Sequence, residues 1–228
     1  DKIKHKIVEC LLDDFTEMEL PDYSYFKGIY LFPVEFIENE IFRLINFTGN
    51  FKMDNLKIVS DGAFESSQFN GVFNCPNLQA VGYNAFFYSN FSGELNLPVC
   101  VEIGAYAFQI SHFSGSLNLP ACTQIGEYAF LSSNFSGSLN LPVCVEIRDF
   151  AFRNSNFSGS LDLPVCTYIG GYTFENSNFN KITIGANAVL GAYCIGAHST
   201  EFINDYTANG KLAGTYIWDE ATQHWIYQ

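Results

Sequence analysis

Apolar and polar positions recur along this chain with a period of 22 residues. The clearest unit runs from Phe91 to His112. Close copies begin at Phe113, Phe135 and Phe157, looser copies begin at Phe47 and Phe69, and a truncated copy begins at Phe179. A fixed period of about 20 to 50 residues is typical of a solenoid, because one unit is too small to bury its own apolar face and must stack on its neighbours.

Each unit predicts two short strands. Leu95-Asn96-Leu97 alternates, which places both leucines inward and Asn96 outward, and Pro98 ends the strand because proline has no backbone N–H to donate. Gly93 precedes the strand at a corner, where we expect a positive φ or a close neighbouring coil. Ile103 and its copies form the second side of the coil. The sequence therefore predicts a parallel-β-dominated solenoid of about eight coils.

The same period predicts two columns of stacked phenylalanine rings in the core. Neighbouring rungs of a sheet lie about 4.8 Å apart, a distance at which aromatic rings attract one another. The first column contains Phe47, Phe69, Phe91, Phe113, Phe135, Phe157 and Phe179. The second contains Phe42, Phe64, Phe86, Phe108, Phe130, Phe152 and Phe174.

The two ends of the chain depart from the repeat. Residues 1–24 contain an amphipathic helical pattern, which we interpret as an N-terminal cap on the solenoid of residues 25–200. Near Lys181 the strand pattern loses one residue. Residues 201–228 are predicted to form a C-terminal β-hairpin cap, with a tight turn at Asn209-Gly210 and a second hairpin that joins residues 215–218 to 224–227. Cap, solenoid and cap are expected to form one continuous domain.

Composition excludes several classes of partner. The net charge of −13 argues against binding to nucleic acid or to anionic lipid, because phosphate contacts require rows of Lys and Arg. No apolar run is long enough for a transmembrane helix. The chain begins without the apolar segment of a signal peptide, so we expect any export signal to have been removed or never present.

Four of the seven cysteines stand one period apart: Cys100, Cys122, Cys144 and Cys166. Leu56 and Leu78 occupy the same slot in other repeats, which predicts that the slot is apolar and buried and that the cysteines are free thiols. The alternative is a set of disulfides between neighbouring rungs, whose spacing would just allow them. No Cys-x-x-Cys occurs and the histidines are scattered, so we expect no metal site.

The unit Leu-x-Leu-Pro-x-x-x-x-Ile-Gly-x-x-Ala-Phe, as in Leu117 to Phe130, resembles the BspA-like leucine-rich repeat family. Gly210 to Tyr216 is similar to a closing segment of such bacterial proteins, so the resemblance covers about residues 25–218. It implies a leucine-rich-repeat solenoid that is exported to the cell surface and binds host matrix or plasma proteins or other cells. The Ser-Asn-Phe-Ser-Gly turn departs from the Cys-containing turn frequent in the family, and the family has no shared catalytic residues to carry over.

The outward slots of the strand are the first candidate binding face. One row is predicted to contain Asn74, Asn96, Asn118, Asn140 and Asp162, and a flanking row begins at Glu94 and continues through Ser116, Ser138 and Ser160. Repeated amides suit a flat surface that hydrogen-bonds a protein or glycan. The alternative is that these side chains only solvate the strands and hydrogen-bond one another along the stack.

A second candidate is the aromatic row Tyr106, Tyr128, Phe150 and Tyr172. Such a row suits a sugar or a peptide, and tyrosine is enriched at interfaces; it is equally consistent with a packed flank.

We expect no enzymatic activity and no cofactor. Glu102 and Glu146 share one slot two periods apart, but a regular surface row implies neither a pocket nor a raised carboxyl pKa, and the common catalytic motifs do not occur. The predicted function is therefore adhesion to a host extracellular or matrix protein. The alternatives are recognition of a carbohydrate such as a mucin glycan and a purely structural role at the surface.

Overall fold

The computed structural model describes residues 28–30, 35–46 and 48–228. The predicted N-terminal helical cap, residues 1–24, and Phe47 lie outside this part of the chain, so the cap stays a prediction. The strands in chain order are β1 Gly28–Tyr30, β2 Phe36–Ile37, β3 Asn50–Lys52, β4 Ile58–Val59, β5 Phe73–Asn74, β6 Ala80–Val81, β7 Gly93–Asn96, β8 Glu102–Ile103, β9 Phe113–Asn118, β10 Gln124–Ile125, β11 Asn134–Asn140, β12 Glu146–Ile147, β13 Asn156–Leu163, β14 Tyr168–Ile169, β15 Asn178–Ile184, β16 Val189–Leu190, β17 Gly214–Asp219 and β18 His224–Tyr227. Helix α1, Ser199–Ala208, precedes β17.

The strands form a parallel β-solenoid, as predicted. The even-numbered strands from β2 to β16 make one 8-stranded sheet, and the chain makes about seven turns between its first and last strands. The odd-numbered strands stack on the other side of the coil, in a 3-stranded sheet from β1 to β5 and a 7-stranded sheet that contains β7 to β17 and ends with β18. Odd strands lengthen from 4 residues in β7 to 8 in β13, so backbone pairing on this side of the coil becomes more extensive toward β13.

The corner glycines behave as the sequence predicts. Gly93 and Gly137 both have a φ of +84°, in the left-handed region that glycine adopts at little cost. At Gly71 the neighbouring coil is the constraint instead, because a Cβ there would lie 2.6 Å from the carbonyl carbon of Gly49. The residue lost near Lys181 is also confirmed, since Leu161 pairs with Ile182, one residue short of a full period.

Phenylalanine rings fill the core along its length. Neighbouring rings of the second column, Phe42 to Phe174, are parallel within 12° and lie 4.9 to 5.2 Å apart. The first column has parallel contacts from Phe69 through Phe91 to Phe113. Farther along, its rings meet the second column edge to face, as Phe135 meets Phe130 at 5.7 Å. The second column is therefore stacked from rung to rung along its length, and rings of the first column pack edge to face against it.

The cysteine slot is buried, as predicted. All six cysteines in the described residues are buried free thiols: Cys75, Cys100, Cys122, Cys144, Cys166 and Cys194. Cysteines on rungs one period apart therefore remain free thiols and form no disulfide with one another.

The C-terminal region differs from the sequence prediction in one element. The predicted hairpin turn at Asn209-Gly210 is wrong, because these residues end helix α1, with Gly210 at a φ of +71°. The second hairpin is confirmed: β17 pairs antiparallel with β15 and with β18. Tyr206 of α1 donates to Gly185 O at 2.7 Å and accepts from Ala188 N at 2.9 Å, which fastens the helix to the last coil.

Candidate binding surfaces

The strand face consists of Asn74, Asn96, Asn118, Asn140, Asp162 and Glu94, and the structure brings these residues together on the outward side of the odd-numbered strands. The ladder places Asn96 opposite Asn118 and Asn140 opposite Asp162, so the side chains stand in line. The asparagines and Glu94 are exposed, and Asp162 is half-buried. This alignment follows from the period, since equal spacing puts equal residues on neighbouring rungs.

Hydrogen bonds within the strand face join side chains or backbone groups on neighbouring rungs. Asn118 donates through Nδ2 to Oδ1 of Asn96 at 2.7 Å, as expected for an asparagine ladder. Beside this row, the backbone N–H of Ser160 donates to Oγ of Ser138 at 3.1 Å. An asparagine side chain offers two donors and an acceptor, so the bond between Asn118 and Asn96 leaves further polar groups on both amides for a ligand.

The outward rows continue beyond the residues that the sequence identified. Lys181 of β15 lies opposite Ile217 of β17, which in turn lies opposite Ile226 of β18. Ile217 and Ile226 are about two-fifths exposed, at 40% and 42%, and they add an apolar pair to the C-terminal end of a polar surface. The alternation in residues 215–218 indicated a strand, but the pairing of that strand with the last coil is a tertiary contact that no local pattern specifies.

The aromatic row, Tyr106, Tyr128, Phe150 and Tyr172, is half-buried and continuous. Its ring centroids lie 4.8 to 5.5 Å apart and neighbouring planes differ by 5 to 20°. Parallel rings this close must overlap, so their faces are turned toward each other and the row presents mainly edges and hydroxyl groups to solvent.

Two tyrosines that sequence reasoning missed flank the aromatic row. Tyr193 lies 5.3 Å from Tyr172 and Tyr83 lies 5.5 Å from Tyr106, and both are at least half exposed. Tyr193 follows Tyr172 by 21 residues, so allowing for the residue lost near Lys181 would have found it. Tyr83 stands one residue before the repeating slot, and the period alone does not indicate it.

The backbone does not select aromatic side chains at these positions. Tyr106, Phe150 and Tyr193 have φ values of +59°, +59° and +53°, in the left-handed region. Gly62 and Asn84 occupy the same slot in earlier coils, and such residues adopt this conformation at lower cost. The penalty for a bulky residue is about 1–2 kcal/mol, so ring stacking or a role at the surface must offset it.

Acidic groups surround the aromatic row. Burial and the neighbouring Glu127 carboxylate raise the pKa of Tyr106. Burial and the nearby Asp149 carboxylate likewise raise the pKa of Tyr168. A positive charge is held at Arg153, whose guanidinium lies 5.6 Å from the ring centroid of Phe150 and forms an ion pair with Glu175. The row thus already accommodates one cation, through a ring face and a carboxylate.

A hollow of about 670 Å³ opens where the aromatic row ends. Tyr172, Tyr193, Glu175, Asn176, Ser177, Asn178, Gly196 and Ala197 line it. Asn178 is the first residue of β15, so the hollow adjoins the strand that carries Lys181. The hollow is a shallow depression that opens broadly to solvent.

Other reactive groups are dispersed. Glu102 and Glu146 lie on β8 and β12, two rungs apart, and Glu146 forms an ion pair with Arg148 at 2.9 Å. In the part of the chain that the structure describes, no group of three or more His, Cys, Asp or Glu side chains is arranged to hold a metal ion. Among the same residues, no helix has the length and apolar character to cross a membrane.

A parallel β-solenoid with long, regular outward rows defines a class of extended binding scaffold, because stacked repeats present broad surfaces. The chain matches the BspA type Leucine rich repeat region in 6 copies, over residues 35–158 and 80–201. These matches span well over half of the chain, which therefore belongs to the BspA-type leucine-rich repeat family, as its repeat indicated. Solenoids of this family typically serve as surface-associated, non-catalytic modules for protein interaction. No curated protein and no solved structure matches the chain significantly.

Proposed function

We propose that the chain acts as an adhesin: exported to a bacterial surface, it binds a host extracellular or matrix protein through the strand face. The observation that carries this proposal is the row from Asn74 to Asp162, in which a polar side chain recurs on five successive coils and the ladder sets Asn96 beside Asn118 and Asn140 beside Asp162. Such a surface can donate and accept hydrogen bonds with polar groups of a protein that lies flat across several rungs. The apolar pair Ile217 and Ile226 supplies exposed apolar area, and its burial against a partner would contribute to the binding free energy.

The charge of the chain narrows the class of partner. A net charge of −13 favours basic partners and speeds their association at low ionic strength. Arg43, Lys57, Arg148 and Arg153 already form ion pairs within the solenoid. Negative charge therefore dominates what the surface offers to a partner.

The test is binding of the purified chain to paired arrays of matrix and plasma proteins and of glycans. We expect a protein ligand whose binding is abolished when Asn96, Asn118, Asn140 and Asp162 are changed to alanine. In the matched control, Asn134 and Asn156 are changed to alanine; both are exposed asparagines, and they begin β11 and β13. Both variants should melt within a few degrees of the parent chain, since surface substitutions usually alter stability by less than about 0.5 kcal/mol each.

Two other outcomes would replace the proposal. A glycan ligand whose binding survives the four strand-face substitutions would make the chain a carbohydrate-binding module and move the site to the aromatic row. If the chain binds nothing on either array, a structural role at the surface would be favoured, in which the outward rows only solvate the strands.

A further inference from the structure

Gly196 lines the hollow beside Tyr193, at a position where the preceding rungs carry longer side chains. The third residue after each ring is Arg153 after Phe150, Glu175 after Tyr172 and Gly196 after Tyr193. A Cβ at residue 196 would lie 2.5 Å from the carbonyl oxygens of Phe174 and Ser177, which is closer than real Cβ atoms come. Glycine is therefore required at this position, so Gly196 contributes only backbone to the lining of the hollow.

The preceding rung shows what such a space accommodates. Arg153 places its guanidinium over the ring of Phe150 and pairs with the carboxylate of Glu175 on the next coil. One rung farther, Tyr172 and Tyr193 supply the rings, tilted by 30° to each other, and Glu175 lies in the wall. The hollow thus offers aromatic rings and the Glu175 carboxylate that Arg153 approaches from the preceding coil, and no Lys or Arg is among its lining residues.

Polar groups in the hollow suit a planar donor. A carboxylate has about four lone-pair positions, so Glu175 can accept a further hydrogen bond while it pairs with Arg153. Asn176 donates through Nδ2 to Oδ1 of Asn154 at 2.7 Å, which leaves its own Oδ1 as an acceptor. Two acceptors beside two aromatic rings match a guanidinium, whose N–H groups lie in one plane and whose face stacks on aromatic rings.

We propose that the hollow receives an arginine side chain of a basic partner protein. The guanidinium stacks on Tyr193 and hydrogen-bonds to Glu175 and Asn176. This inference rests on the proposed function in one respect, that the partner is a protein, and it locates a second contact beside the strand face. Stacking covers much of the ring-face area within the aromatic row, whereas Tyr193 follows its last ring and lines the hollow, where a ligand can reach it.

The test uses a blocked Gly-Gly-Arg-Gly-Gly peptide and the same peptide with glutamine in place of arginine, titrated into the full chain and followed by NMR chemical shifts. We expect saturable binding of the arginine peptide alone, weakened by added salt. Tyr193→Ala should reduce its affinity about three- to thirtyfold, the range for loss of a cation–π contact. Tyr83→Ala is the matched control, an exposed tyrosine at the other end of the row, and should leave the affinity unchanged.

Equal binding of the two peptides, or equal effects of the two tyrosine variants, would overturn the inference. So would binding of a neutral sugar that depends on Tyr193 while the arginine peptide does not bind. The strand-face variant separates the two proposals, because it should lose the protein ligand yet still bind the arginine peptide. If the arginine peptide binds through Tyr193 but the chain binds no protein on the array, the hollow is an arginine site and the adhesin proposal fails.

Discussion

At the scale of single residues, burial of the cysteine slot changes the acid–base chemistry of the thiols. Removal from water raises the pKa of Cys75, Cys100 and Cys122 to about 12 and that of Cys166 to about 11. The thiolate is the reactive form, so these groups are inert in the folded chain at neutral pH. The slot therefore uses cysteine as a small apolar residue.

The raised pKa values predict instability at alkaline pH. In the unfolded chain a thiol ionises near pH 8.5–9, whereas in the native chain it stays protonated to about pH 11, so the unfolded state binds fewer protons within this window. The free energy of unfolding should be constant below about pH 8.5 and then fall by about 1.4 kcal/mol per pH unit for each buried thiol.

Denaturant titrations between pH 7 and 10.5 measure this effect. A variant with valine at positions 100, 122, 144 and 166 is the control and should lose most of the slope between about pH 8.5 and 9.5, below the ordinary tyrosine pKa of about 10. A parent chain that is equally stable at pH 7 and pH 10 would show that the thiols are not protected from ionisation.

At the scale of elements, helix α1 closes the end of the long sheet. Strand β18 pairs with β17 on one side, and its Trp225 N–H donates to Oδ2 of Asp205 on the helix at 2.7 Å. Asp205 also lies 2.9 Å from Nδ1 of His224 through its other oxygen. A terminal strand with unpaired backbone groups is a template for association with another chain, and a covering helix prevents this.

Asp205→Ala should therefore weaken the C-terminal cap and expose the edge of β18. Loss of a hydrogen bond to a charged group costs about 1.5–3 kcal/mol, and we expect faster hydrogen exchange at the Trp225 amide together with concentration-dependent self-association. Asp219→Ala is the control, because Asp219 accepts from Ala221 N in the turn between β17 and β18 and does not cover the edge. Light scattering that finds both variants monomeric at high concentration would contradict the edge-blocking role.

At the scale of the whole molecule, the solenoid is a stack in which each coil mainly contacts its two neighbours. Near-identical coils between Phe91 and Asn178 are interchangeable in this arrangement, because the ladder and both phenylalanine columns repeat with the same step. Stability is then approximately a sum over coils and the interfaces between them.

This additivity predicts that one whole coil can be removed. Deletion of residues 113–134 should leave a folded, cooperative and somewhat less stable chain, since Phe135 then takes the place of Phe113. Deletion of a single residue within the same unit should unfold the local stack, because it turns the inward side chains of a strand outward. Circular dichroism and denaturant unfolding measure both; a whole-coil deletion that fails to fold would contradict the solenoid as a sum of equivalent units.

The sequence by itself determined the repeating part of the molecule. Inward leucines, the phenylalanine columns, the buried cysteine slot and the corner glycines all follow from local requirements that recur every 22 residues. Because each coil meets the same neighbours, a regular pattern specifies its own packing, and the strand face and the aromatic row follow from it.

Tertiary structure decided what happens where the repeat ends. Helix α1 begins at His198 without a side-chain cap hydrogen bond and is held by Tyr206 against Gly185 and Ala188, contacts between segments that no local signal joins. Gly196, which lines the hollow, must in the same way be glycine because carbonyl groups of the preceding coil approach it. Local patterns specify the elements that repeat, whereas the structure at the C-terminal end of the solenoid depends on contacts between segments that are distant in sequence.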